Sequence, residues 1–90
     1  MIAAIQRLID REAGLALPAC NLTPHADLFA LGLTAFDAVR LLVAIEREFR
    51  IEFPRTMLNR RTARSIDAIL EALRDAAPAP AAAERLRAAA

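Results

Sequence analysis

Ninety residues, a formal net charge of +1 and a single cysteine describe one small domain, at a length where only about 60% of the unfolded surface is buried on folding. The near-neutral charge argues against bulk electrostatic binding of nucleic acid, and a lone Cys20 excludes an internal disulfide and any cysteine-based metal cluster. No run approaches the roughly 20 apolar residues of a bilayer span, and the N-terminus lacks a basic segment followed by an apolar stretch and cleavage site, so we expect a cytoplasmic protein without a membrane partner.

Ala, Leu, Arg and Glu dominate while Gly is only 2, a balance that favours helices throughout, and the expected fold class is all-α. Ile2, Ile5, Leu8 and Ile9 recur at helical spacing, which predicts a first helix over about 2–13 with Gly14 closing it. Leu15-Ala-Leu-Pro18 then begins a long connection, in which Thr23-Pro24 reads as an N-cap followed by Pro, opening a short helical turn through Asp27. Leu22, Leu28, Phe29, Leu31 and Leu33 make this connection apolar enough to lie over the core.

The second helix is expected to start at Thr34, whose hydroxyl can accept the N–H of Asp37 while the Asp37 carboxylate favours the positive end of the helix dipole. At about 100° per residue, Ala38, Leu42, Ile45 and Phe49 form one core-facing stripe, and the helix ends near Phe49. Ile51-Glu-Phe-Pro54 is expected as an extended corner with Ile51 and Phe53 inward. A short third helix at Thr56–Asn59 follows, and then a last helix capped by Thr62, lined by Ile66, Ile69, Leu70 and Leu73 and ending at about Asp75. These give a helical domain over residues 1–75. Residues 76–90, rich in Ala and Pro, lack the large apolar residues of a core and are expected to be a mobile tail.

The segments Leu22-Thr-Pro24, Asp27-Leu-Phe29, Leu31-Gly-Leu33, Thr34-Ala-Phe36 and Glu46 through Pro54, with Thr62 ahead of Ile66, together resemble an acyl or peptidyl carrier protein over residues 2–75. Ile51-Glu-Phe-Pro54 with Met57-Leu-Asn-Arg-Arg-Thr62 is similar to the aminoacyl carrier branch, served by amino acid:carrier protein ligases related to seryl-tRNA synthetase. The resemblance implies a four-helix bundle with a long loop between helices one and two and a short third helix, and no enzymatic activity. It also implies a 4′-phosphopantetheine arm on a serine at the start of helix two, which tethers an aminoacyl or acyl group as a thioester. The implied partners are an aminoacyl or acyl ligase, a phosphopantetheinyl transferase and a downstream transferase or synthase, met by a monomer. In this chain the capping position corresponds to Thr34 and the serine position to Ala35, whose methyl group has no oxygen to modify. Three readings stay open: an engineered replacement of Ser that holds the protein in its apo form, a natural docking or regulatory module that has lost attachment, and attachment at Thr34 instead.

Beside the core stripe, Phe36, Arg40, Val43, Arg47 and Arg50 make a second ladder on helix two. The resemblance makes this the partner-binding side, with Arg at positions where carboxylates are common, so acidic partner surfaces are expected. The plainer reading of the same Arg residues is a solvated face with pairs such as Asp37–Arg40 and Glu46–Arg50. Residues 40–64 hold seven Arg against three Glu, and Arg55, Arg60, Arg61 and Arg64 either extend the partner footprint or are scattered solvated charges. That basic segment also supports a remote alternative, a small helical nucleic-acid-binding domain, opposed by the scarcity of aromatic residues and by a connection too long for a DNA-reading helix pair. His25 is the only histidine, and no nucleophile–base constellation, phosphate loop or metal-ligand spacing accompanies it; no metal is expected.

Overall fold

The computed structural model describes residues 2–78. Helix α1 (Ile2–Glu12) turns Ile5, Leu8 and Ile9 inward, and Ala13 adds one more bond by donating its N–H to the Ile9 carbonyl at 2.9 Å. The left-handed glycine of the chain is Gly32 (φ 112°) and not Gly14, so α1 ends without the glycine closure expected for it.

The connection from residue 13 to residue 34 holds one 3₁₀ turn, Ala19–Asn21, hung from α1 by side chains. Asp10 Oδ1 accepts the Ala19 N–H at 2.9 Å and Gln6 Nε2 donates to the Ala19 carbonyl at 3.4 Å. Thr23-Pro24 opens a single turn, Ala26 N–H to Thr23 carbonyl at 3.1 Å. As its apolar content suggests, the segment covers the core: Ala19, Leu22, Leu28 and Leu33 are buried. Backbone laid over a core needs partners for its polar groups, and it finds them far along the chain. The Leu28 N–H donates to the Arg64 carbonyl at 2.8 Å, and the Asp67 N–H to the Pro24 carbonyl at 3.0 Å.

Helix α2 (Ala35–Phe49) buries Ala38, Leu41, Leu42, Ala44 and Ile45, a face wider than the four-residue stripe. Arg50 then takes a left-handed conformation (φ 54°, ψ 50°) and donates its N–H to the Glu46 carbonyl, which turns the chain into strand β1 (Ile51–Glu52). Strand β1 pairs antiparallel with β2 (Ala77–Pro78), Ile51 opposite Pro78 and Glu52 opposite Ala77. This pairing corrects the all-α expectation to a mostly helical fold with one two-residue ribbon. It also carries regular structure past residue 75, while residues 79–90 of the expected tail lie outside the described residues.

The expected third helix at Thr56–Asn59 is instead a three-residue 3₁₀ turn, Arg55–Met57, following Pro54. The last helix, α3 (Ile66–Asp75), is capped by Ser65 and not by Thr62, since Ser65 Oγ accepts the Ala68 N–H at 3.1 Å. Thr62 is buried and donates its N–H to Asn59 Oδ1 at 3.1 Å. Among the described residues, three α-helices with two 3₁₀ turns therefore stand where four helices were expected. Ile5, Ile9, Leu28, Leu41, Leu42, Ile45, Ile66 and Ile69 fill the core between them, each fully buried and each stabilising the fold by about 1.5–3 kcal/mol through removal from water.

Candidate functional site

The start of α2 is fixed by the eight residues before it, 27–34. Asp27 Oδ1 accepts the N–H groups of Phe29 (3.0 Å) and Ala30 (3.4 Å), an Asx turn that bends the chain locally. The Leu28 carbonyl then accepts from both Leu31 (3.1 Å) and Leu33 (3.0 Å). Leu28 and Leu33 are buried at the two ends of this loop, so it is anchored at both sides. Gly32 sits between them at φ 112°, in the region that glycine adopts without the penalty a Cβ brings.

Thr34 emerges extended (φ −93°, ψ 163°) and its Oγ1 accepts the Asp37 N–H at 3.1 Å, as the sequence indicates. Ala35 is consequently the first residue of α2, and it is exposed. The opening N–H groups of a helix have no intrahelical acceptor and carry the positive end of its dipole, so this spot favours an anion. The methyl group of Ala35 nevertheless offers no oxygen for a bond.

Around Ala35 the surface is apolar. Phe36 is 72% exposed and Val39, one turn on, is 46% exposed. Val39 was absent from the sequence-derived ladder, although its place four residues after Ala35 puts the two on one side of the helix. The ladder itself divides. Arg40, Val43 and Arg47 line a shallow cleft of about 440 Å³ with Val39, Ala44 and Glu48 of α2 and Arg11 and Glu12 of α1, whereas Phe36 and Arg50 lie outside it.

Arg40 does not pair with Asp37. Its Nη2 lies 3.3 Å from Glu12 Oε2 on α1, with the guanidinium 5.9 Å from the Phe36 ring centroid, and Arg11 Nε approaches the same Glu12 carboxylate at 3.4 Å. Glu46 and Arg50 do not pair among the described residues; the Glu46 carboxylate instead accepts the Phe53 N–H at 2.7 Å and holds the corner after α2. Arg47 and Arg50 are exposed. Across the loop, Arg60, Arg61 and Arg64 gather around Phe29 and Asp27 without Arg55. His25 is exposed with Nδ1 at 2.7 Å from Asp67 Oδ2, bracing the loop against α3.

The chain matches the family described as phosphopantetheine attachment site over residues 3–75. It is 41% identical over 69 residues to an aminoacyl carrier protein from Agrobacterium fabrum, covering 77% of this chain and 83% of that protein. In structure it is similar to a chain in a crystal structure of engineered Bradyrhizobium japonicum glycine:[carrier protein] ligase complexed with carrier protein from Agrobacterium tumefaciens and AMP. The TM-score is 0.79 at 38% identity, over 82% of this chain and 99% of that one. A solution structure from Agrobacterium tumefaciens matches with a TM-score of 0.63 at 38% identity, over 82% of this chain and 89% of that one. With a helix start of this geometry inside the matched span, the chain belongs to the phosphopantetheine-attachment family of carrier proteins, as a homologue of the aminoacyl carriers and not as an enzyme.

Proposed function

We propose that residue 35 is the attachment position of an aminoacyl carrier protein, and that Ala35 makes this chain a form that docks on carrier-protein partners but cannot be loaded. The observation that carries this reading is the placement of an exposed Ala35 at the first position of α2, directly after the Thr34 cap and the anchored loop. A helix start of this kind suits a phosphodiester, but the 4′-phosphopantetheine of the family does not fit this side chain, which has no hydroxyl. Attachment at Thr34 is the poorer alternative, because its oxygen already caps the helix at 3.1 Å.

The docking face in this proposal is the exposed side of α2 next to Ala35: Phe36, Arg40, Val43, Arg47 and Arg50, with Val39 added. Its partners are an aminoacyl or acyl ligase and, once a serine is present, a phosphopantetheinyl transferase and a downstream transferase or synthase. The relative complexed with a glycine:[carrier protein] ligase supports the first of these. A cytoplasmic monomer that needs neither nucleic acid nor membrane fits this role. An engineered apo form and a natural docking module behave alike as proteins and differ in the gene: a serine codon at position 35 marks the first, an alanine codon the second.

The test is loading. Treated with coenzyme A and a broad-specificity phosphopantetheinyl transferase, the Ala35→Ser chain should gain the mass of one phosphopantetheine group while the unsubstituted chain gains nothing. An Ala35→Ser chain that stays folded and gains no mass contradicts the carrier reading.

A further inference from the structure

The cleft bounded by Asp27, Phe29, Arg60, Arg61 and Arg64 shares Asp27 and Phe29 with the loop before α2 but holds no residue of the α2 ladder. It encloses about 300 Å³ and opens to solvent beside the loop that leads into α2. Three guanidinium groups face one carboxylate there. Two of the three are held in place. Arg60 sits over the Phe29 ring with its guanidinium carbon 4.5 Å from the centroid, a cation–π contact that places the charge at the cleft. Arg64 Nε is 3.6 Å from Asp27 Oδ2, the same carboxylate group whose other oxygen shapes the loop. Among the described residues neither Arg60 nor Arg61 has an ion-pair partner, so the cleft has a surplus of positive charge.

Held guanidinium forks match carboxylates two N–H groups at a time. Each side chain is exposed, and a single ion pair in water contributes little. Appreciable affinity therefore needs several carboxylates presented together. The volume is at the small end for a site that encloses a small molecule, and no buried polar side chain is aimed into it. We infer that the Phe29–Arg60–Arg61–Arg64 cleft is a second docking surface, which takes an acidic segment of a protein partner bearing two or more neighbouring carboxylates. It goes beyond the α2 face and stands on different residues, so it holds or fails separately from the loading of residue 35.

The experiment is an amide and arginine-Nε NMR titration of the full chain with hexaglutamate at low salt. Signals of Phe29, Arg60, Arg61 and Arg64 should move together, and the response should weaken as salt is added. Arg60→Gln with Arg61→Gln should weaken binding about tenfold, Arg61→Gln alone about threefold, and Arg74→Gln should leave it unchanged, from the modest worth of each exposed pair. Shifts confined to Arg40 and Arg47, or undiminished binding by the folded double variant, would overturn the inference. So would a decathymidylate or pyrophosphate titration that saturates these signals while hexaglutamate leaves them unmoved, because the cleft would then be a phosphate site.

Discussion

Thr34 and Gly32 set the position of residue 35 by different means, one through a side-chain oxygen and the other through a backbone angle. Removing the oxygen in Thr34→Ala should cost about 1 kcal/mol, which lowers Tm by roughly 4–8 °C in a domain of this size; Thr34→Ser should restore most of the loss in the same thermal melt. Gly32→Ala tests the angle. A Cβ there meets nothing closer than the Gly14 carbonyl oxygen at 3.7 Å, an ordinary contact, so the expected loss of about 1–3 kcal/mol comes from φ 112° alone. A urea titration that finds Gly32→Ala neutral contradicts that conformation. The cap was legible in the sequence because Thr34, Ala35 and Asp37 lie within one helical turn. The sign of φ at Gly32 was not, since it follows from Leu28 and Leu33 being buried on either side.

At the scale of elements, what could be read from the chain was what local periodicity controls, and what was misplaced depends on partners far away. Helix α2 begins and ends as expected, with a cap, a stripe and an end near Phe49. The last helix has two hydroxyl residues ahead of its apolar run, Thr62 and Ser65. The choice between them is made by the loop: the Leu28 N–H donates to the Arg64 carbonyl and the Pro24 carbonyl accepts the Asp67 N–H, bonds on either side of Ser65, which is itself extended (φ −151°, ψ 166°), while Thr62 lies in the turn before it. The β1–β2 pairing joins residues 51–52 to 77–78, too short for a pattern and too distant for a turn signal. The close of α2 offers a test. Arg50 is a non-glycine residue at positive φ, a conformation that costs a side chain about 1 kcal/mol, so Arg50→Gly should raise Tm by several degrees and Arg50→Val should lower it. Glu46→Ala removes the acceptor of the Phe53 N–H and should destabilise by about 1–2 kcal/mol in chemical denaturation.

Across the whole molecule, the anchored loop and helix start are flanked by two arginine-bearing surfaces, the α2 cleft and the Phe29 cleft. Family membership was legible because its motifs are contiguous in the chain, whereas the sorting of individual Arg residues needed coordinates. The α1–α2 contact makes Arg40 a cross-helix pair with Glu12, whose side chain is only 16% exposed. Charge reversal at Arg40 would place a second carboxylate against it, so Arg40→Gln with Arg47→Glu is the cleaner variant. The lost pair is half exposed on the Arg side and worth about 0–1 kcal/mol, so Tm should move by a few degrees at most. Binding to an amino acid:carrier protein ligase, measured by calorimetry, should fall at least tenfold. A variant that keeps full binding and melts much lower makes these Arg residues structural.

The proposed position of the family's tether is residue 35. The direct measurement is peptide mapping by tandem mass spectrometry of both chains after incubation with coenzyme A and a phosphopantetheinyl transferase. The expected result is one modified site in the Ala35→Ser chain, at position 35, and none in the unsubstituted chain. A group found on Thr34 or Ser65 in either chain would contradict it.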